Sequence, residues 1–324
     1  MKIGHAKGIP RMNLPKRDEM LHVIETLTTR HLRGKVRAVK LSMIALLTGG
    51  HILLEDIPGL GKTTLALALS GVLGMTFGRL QCTSDLLPSD ITGLSIFNRE
   101  EGKFTFLRGP IFNNLLLVDE INRAMPKTQS AMLEAMEERR VTVEGVTYPL
   151  PAPFLVIATQ NPVEQVGTYP LPESQMDRFL IRSGIGYPPE EIEKTIIKGG
   201  SIRDEIQNLT PLVKIDDILE ARAAVKDKIY LSEKIVDYIF SIVAATRDNP
   251  FILTGVSTRG GINMAEAAKA HAYLEGRDFV IPEDVKAIAV PVGAHRLILA
   301  PENEALDKED LFQAVLKNIK IPIV

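Results

Sequence analysis

Lys62 and Thr63 follow Pro58-Gly59-Leu60-Gly61 and precede Thr64, a spacing that suits the binding of phosphates. A short apolar run, Ile52-Leu53-Leu54, leads in, and Leu65 to Leu69 has helix-forming composition. A strand, a tight glycine loop and a helix N-terminus aim successive backbone N–H groups and the positive end of a helix dipole at one anion. Lys62 would add a point charge for the β- and γ-phosphates of a nucleotide, and the Thr63 hydroxyl an oxygen for Mg²⁺. The stretch Glu55 to Thr64 departs from G-x-x-x-x-G-K-[ST] at its first position, where Asp56 stands. Its carboxylate is expected to turn away from the phosphates or to pair with a basic residue, and it could lower nucleotide affinity.

A second group supplies acids. Asn114 to Val118 is a nearly continuous apolar run, as for a strand covered on both faces of a parallel sheet, and it ends in Asp119-Glu120. Asp119 would reach Mg²⁺ through its water shell, and Glu120 would polarise an attacking water. The carboxyl end of a strand is also where open α/β sheets bind ligands. The next buried run, Phe154 to Thr159, leads into Gln160-Asn161-Pro162, where an amide could bond a γ-phosphate or that water.

These residues need a scaffold, and the pattern supplies one. Helical periods are expected at 18–29 and 36–47, and strands at 52–54, 77–82, 114–118, 154–159 and from 179. Five strands joined through helical segments argue for a parallel α/β sheet. Hairpins are read at 94–106, with Phe104 and Phe106 on one face in need of a partner surface, and at 141–148. Pro126 suits the first turn of a helix whose buried stripe is Met132, Leu133, Ala135 and Met136. Tyr187-Pro188-Pro189 marks the expected boundary between a core at 1–187, with a loose leader at 1–16, and a helical domain at 188–324, connected through 188–214. Its helices are placed at 190–197, 216–225, 232–246, 257–274, 282–288 and 310–318, with Ser232 and Ser257 as N-caps and Pro291 as a stop.

Composition narrows the class. The chain has 324 residues, 45% of them hydrophobic, enough for a sizeable core in two domains. Net charge is −2 and the pI about 6.3, so nucleic acid is not expected as a main partner. The basic cluster Arg30 to Arg37 reads as a solvated helix start. Cys82 is the single cysteine, which excludes a disulfide framework and a thiolate metal cluster, and the six histidines form no H-x-x-x-H pair. No signal peptide or membrane span is read, and a cytoplasmic location is the expectation.

Several blocks together resemble the MoxR family of AAA+ ATPases. They are Asp119-Glu120-Ile121-Asn122-Arg123-Ala124, Pro126 to Ser130, Leu133 to Glu138, Ala158 to Pro162, and Leu171-Pro172-Glu173-Ser174-Gln175-Met176-Asp177-Arg178-Phe179. The resemblance covers most of the chain from about residue 34. It implies an αβα core with a helical lid, using ATP and Mg²⁺ in a homo-hexamer with nucleotide at subunit interfaces. Asn161 would be sensor 1, and Arg178 the arginine finger reaching a neighbour's γ-phosphate. Arg259, in Val256-Ser257-Thr258-Arg259-Gly260, would be sensor 2 on the nucleotide of its own subunit. Thr258 and Gly260 stand where relatives carry Pro and Ala, and a looser lid hinge is expected from Gly260-Gly261. Gly34-Lys35 replaces a usual Gly-Gln, which leaves the adenine contacts open.

The resemblance further implies ATP hydrolysis coupled to the remodelling or maturation of a client protein, for instance one with a von Willebrand factor A domain, or to metal-cofactor insertion. The hairpins would face a pore or the client. The alternatives are a chelatase-type or nucleic-acid-remodelling motor and an ATP-binding scaffold without turnover.

Overall fold

The computed structural model describes residues 14–100, 102–163, 166–199, 205–206 and 208–322. The expected leader lies mostly outside them, as does part of the connecting segment. The chain opens with α1 (Arg17–Thr26), which runs on through a π turn at Leu27–His31, and α2 (Val36–Thr48). Gly49, at φ 73° just past α2, takes the left-handed conformation that ends many helices. Then follow β1 (Ile52–Glu55), α3 (Lys62–Val72), β2 (Phe77–Gln81) and the short α4 (Pro88–Thr92). A hairpin, β3 (Gly93–Asn98) and β4 (Lys103–Arg108), precedes β5 (Leu115–Asp119) and α5 (Pro126–Glu138). A second hairpin, β6 (Arg140–Val143) and β7 (Val146–Pro149), leads to β8 (Leu155–Gln160), a single turn α6 (Glu173–Met176) and β9 (Ile181–Ser183).

Five strands form one parallel sheet in the order β2-β5-β8-β1-β9. Alternating side chains serve two faces, as a strand's two-residue period dictates. Ile52, Leu54, Leu115, Leu117, Leu155 and Ile157 join the core shared with α2 and α3. Leu53, Leu116, Val118, Val156 and Ala158 join the other, against α5. Both faces are covered, so all five residues of β5 are buried. The two hairpins meet through Phe106, which stacks on Tyr148 with ring centroids 4.3 Å apart. Among the described residues Phe104 makes a ring contact with Phe97 and stays 65% exposed, so the aromatic face of the first hairpin is half satisfied.

The second part is helical: α7 (Glu190–Gly199), α8 (Ile215–Lys228), α9 (Glu233–Arg247), α10 (Thr258–Leu274), α11 (Pro282–Gly293) and α12 (Lys308–Lys317). It also carries a two-stranded antiparallel ribbon, β10 (Ile252–Thr254) with β11 (Ile298–Leu299), which the all-helical expectation lacked. Helices α1 and α2 pack against α8 and α10, so one apolar core runs from the sheet into this part. Ser257 caps α10 by accepting from the Gly260 N–H at 3.1 Å. Ser232 holds the N-cap position of α9 but makes no side-chain cap bond. Pro291 does not stop α11, which continues to Gly293. A proline one turn from a helix's end removes a single hydrogen bond, and burial of Val292 holds that turn.

His51 fixes the amino end of β1 to its surroundings. Its Nδ1 accepts from the Val156 N–H at 3.0 Å, and its Nε2 lies 3.3 Å from the Met136 carbonyl near the end of α5. Burial pulls its pKa down to about 4. The folded protein therefore holds His51 neutral, while the unfolded chain takes up a proton from about pH 6.5 downward. The stability this represents is present above pH 6.5 and lost as pH falls toward 4. The expected loss is on the order of 3 kcal/mol from His51. The His295 imidazole, also lowered by burial, adds in the same direction. Chemical denaturation at pH 7 and pH 4.5 checks this, and a midpoint unchanged between them would contradict it.

Candidate nucleotide site

The loop from Asp56 to Gly61 joins β1 to α3 beneath a cleft of about 830 Å³, a size typical of ligand sites. Pro58, Gly59, Leu60, Gly61, Lys62, Thr63 and Thr64 all line it, together with Asp119, Glu120, Thr159 and Asn161. Gly59 and Gly61 take φ of 88° and 94°, a backbone that side chains rarely adopt. A Cβ at Gly59 would meet nothing within 4 Å, so conformation rather than crowding selects glycine there. The strand, the glycine turn and the helix start expected from the sequence have formed.

Asp56 turns away from the cleft. Its carboxylate accepts from the backbone N–H groups of Ile185 and, at 3.2 Å, Gly186, just beyond β9. Lys35 donates to the Gly186 carbonyl, and its ammonium, disfavoured by burial, is supported by the Asp56 charge. The side chains of Asp56 and Lys35 therefore close on one residue, Gly186, from its two sides, a link absent from either position read alone. Lys62 donates to the Asp56 carbonyl oxygen. Burial lowers the Lys62 pKa, against the opposing pull of Asp56, Asp119 and Glu120.

Asp119 and Glu120 are held by partners that sequence reasoning missed. Arg79 Nε donates to Asp119 at 2.8 Å, and Arg123 Nε lies 2.7 Å from a Glu120 oxygen. Gln81 Nε2 donates weakly to Glu120 at 3.4 Å. Arg79 and Gln81 are the exposed members of a strand that alternates between exposed and covered positions, and that strand neighbours β5. Polar residues at i and i+2 beside a strand ending in two acids were the available signal. Glu120 itself sits at φ 56°, a strained backbone for a side-chain-bearing residue, and its N–H donates to Thr159 Oγ1 at 2.9 Å. Cys82, buried nearby, has its thiol pushed up to about 12 by burial and by these acids, which leaves it inert as a nucleophile.

The cluster read as a solvated helix start is partly a wall of the cleft. Arg30, His31, Leu32, Arg33 and Lys35 line it, as do Tyr187 and Ile196. Leu32 and Lys35 are buried.

Arg178 and Arg259 do not line this cleft; they meet at the opposite edge of the sheet. Arg178 Nε and Arg259 Nη1 each donate to a Glu137 oxygen at 2.9 Å. Glu137 lies in the last turn of α5, close to the Arg139 that donates to the Gly49 carbonyl before β1. Leu180, two residues after Arg178, donates its N–H to the His51 carbonyl at the start of β1. The cradle lies past the other end of that strand. In this structure Arg259 is paired with Glu137 and does not line its own subunit's cleft, where the resemblance places it. Asp177 binds Arg296 at 2.6 Å, not Arg178, and lies 3.7 Å from Arg259. The loose hinge expected from Gly260 is also corrected. A Cβ there would lie 2.5 Å from Val256 Cγ1 and 3.0 Å from Arg296 Cδ, so glycine permits tight packing against a buried arginine.

A parallel sheet with a phosphate loop after its fourth-ranked strand β1, two acids ending β5 and a polar amide ending β8 defines an AAA+ type nucleotide-binding core. The family model described as "ATPase family associated with various cellular activities (AAA)" matches residues 51–181, and the AAA lid domain matches residues 244–315. The chain is 43% identical to the uncharacterized protein YeaC of Bacillus subtilis, over 94% of this chain and 97% of that one. It is 38% identical to the chaperone MoxR1 of Mycobacterium tuberculosis, over 91% of this chain and 80% of that one. A crystal structure from Cytophaga hutchinsonii superposes with a TM-score of 0.87 at 39% identity, covering 95% of this chain and 96% of the other. The chain belongs to the MoxR family of AAA+ ATPases. Among the described residues, no helix is long and apolar enough to cross a membrane.

The Asp56–Gly186–Lys35 link gives a test of its own. Asp56→Ala and Lys35→Ala should each destabilise the fold by about 1–3 kcal/mol. The double variant should cost less than the sum, by more than the roughly 0.5 kcal/mol within which independent sites add. Equilibrium denaturation of the four proteins measures this; strict additivity would mean that the two residues act separately.

Proposed function

We propose that this chain hydrolyses ATP to ADP and phosphate and uses the energy to remodel or mature a client protein. The observation that carries the reading is the single cleft lined by the phosphate loop, Asp119, Glu120 and Asn161. Backbone N–H groups of the loop and the Lys62 ammonium would hold the β- and γ-phosphates, and the charge of a bound phosphate, like those of Asp56, Asp119 and Glu120, favours the ammonium against the cost of its burial. A Glu120 carboxylate oxygen would take the proton of the attacking water, and the Asn161 amide would orient that water or the γ-phosphate. The Thr63 hydroxyl and the Asp119 carboxylate are hard oxygen donors in the same cleft, which fits Mg²⁺, an ion usually bound by one or two protein oxygens plus phosphates. When bound, the ion supplies Lewis-acid neutralisation of the phosphate charge.

Arg178 and Arg259 would complete the site of an adjacent subunit in a homo-hexameric ring. A cation must offset the charge that develops in the transition state, and a planar guanidinium suits phosphate oxygens. Their position at the edge of the sheet away from the chain's own cradle supports action on a neighbour for both. Leu94, Ile96, Phe97, Phe104 and Leu107 of the first hairpin are exposed, and they offer the client an apolar contact. The chaperone designation of the mycobacterial relative accords with this role. A cytoplasmic setting and a client with a von Willebrand factor A domain complete the proposal.

Glu120→Gln should bind ATP normally and lose turnover by about 10²-fold or more. Arg178→Ala and Arg259→Ala should each lower kcat by about 10²-fold or more while leaving nucleotide affinity in place. Steady-state turnover together with equilibrium binding of a fluorescent ATP analogue separates these effects. Unchanged turnover in Glu120→Gln would overturn the assignment of the base. A tenfold loss of ATP affinity in Arg259→Ala would return that arginine to its own subunit's site.

A further inference from the structure

The end of α5 breaks a local rule. Glu137 and Glu138 occupy the last turn of the helix, where the backbone carbonyls already present partial negative charge and lysine or arginine is favoured. What compensates Glu137 comes from far away in sequence: Arg178 from the segment before β9, and Arg259 from the first turn of α10. One carboxylate thus holds one arginine from the sheet domain and one from the helical domain, each at 2.9 Å.

Two magnitudes separate this pair from a stabilising brace. The side chains are 36% exposed for Glu137, 26% for Arg178 and 50% for Arg259, and ion pairs exposed to that degree contribute about 0–1 kcal/mol. Beside them, Arg296 is 2% exposed in its side chain and bonds Asp177 at 2.6 Å and the Phe179 carbonyl at 2.8 Å. Arg296 is the fixed member, and through Asp177 it fixes the backbone from which Arg178 projects. The Glu137 pairs hold direction at little cost in release. A phosphate of higher charge can take both guanidinium groups from one carboxylate without disturbing the fold.

We propose that Glu137 is a positioning residue that yokes Arg178 to Arg259, so that the two arginines are presented to a neighbouring subunit's γ-phosphate as one unit. The inference rests on the reading of both arginines as acting on a neighbour. Its consequence is mechanical as well as chemical. Movement of the helical domain shifts Arg259 against Glu137 on the sheet domain and so changes the carboxylate that Arg178 shares, and hydrolysis next door is felt by both domains together. Glu137 itself touches no nucleotide.

The test is a cycle of Glu137→Ala, Arg259→Ala and the double variant in the full-length chain, read as kcat, ATP affinity and melting temperature. Glu137→Ala is expected to lower kcat by about tenfold, the scale of a misplaced but present catalytic group. It should leave analogue binding within about twofold and the melting temperature within a few degrees, as befits exposed ion pairs. Arg259→Ala should then cost much less in the Glu137→Ala background than alone, and Glu137→Asp, which keeps the charge, should recover part of the lost rate. Slow Arg178→Ala and Arg259→Ala variants beside a Glu137→Ala variant with wild-type or raised kcat would overturn the yoke and leave the shared site standing. Wild-type turnover in Arg178→Ala and Arg259→Ala would overturn both. A Glu137→Ala variant that is slow only because it melts well below the wild type would assign Glu137 a structural role instead.

Discussion

The constraint on which the rest depends is the polarity of a parallel sheet. All five strands point one way, so the groups that end them collect at one edge, and the groups that begin them collect at the other. The cradle, Asp119, Glu120 and Asn161 belong to the first edge; Glu137, Arg178 and Arg259 belong to the second. Four residues of extended β1 span roughly 13 Å, before the loop adds its own length. Neither arginine lines the cleft; both are held on Glu137 instead. A single subunit thus keeps the phosphate loop and its acids at one end of the strands and the two arginines at the other, the separation on which the proposed shared site rests.

Charge balance holds each half together. Around the cradle, Asp119 and Glu120 carry arginine partners from β2 and from the turn after β5, while Asp56 is spent on the peptide at Gly186 rather than on the phosphates. Lys35 closes on the carbonyl of that same Gly186, which ties the floor of the cleft to the segment leading into α7. At the other edge, Arg296 is buried among carbonyls and Asp177, and Gly260 stands where a Cβ would clash with Val256 and crowd Arg296. Buried, multiply bonded groups fix the frame, and exposed singly bonded ones are left to move.

Much of this was legible in the residues. The phosphate loop could be placed because glycine at positive φ and a lysine at a helix start leave a local trace, and β5 because an apolar run ending in two acids is unusual in a loop. Ser257 as a cap and Pro126 as a helix start were likewise local matters. What escaped depended on contacts between distant segments. Arg79 and Gln81 gain meaning only from β2 pairing with β5, and Lys35 only from the turn after β9. Pro291 looked like a stop because its effect was judged without the packing around Val292. Arg259 could be read as a sensor from its surroundings in sequence, but which nucleotide it senses is a question of where α10 sits, and nothing in the residues around it encodes that.

The central claim, that each catalytic centre is built from two subunits, is tested most directly by mixing two inactive chains. Lys62→Ala has a disabled cradle and intact arginines; Arg178→Ala combined with Arg259→Ala has an intact cradle and no arginines. Each alone should show almost no ATP turnover. Mixed in equal amounts, they should recover a substantial part of the wild-type rate, because some interfaces then join an intact cradle to an intact pair of arginines. A mixture no more active than its separate components, under conditions where the two chains are seen to co-assemble, would contradict the account.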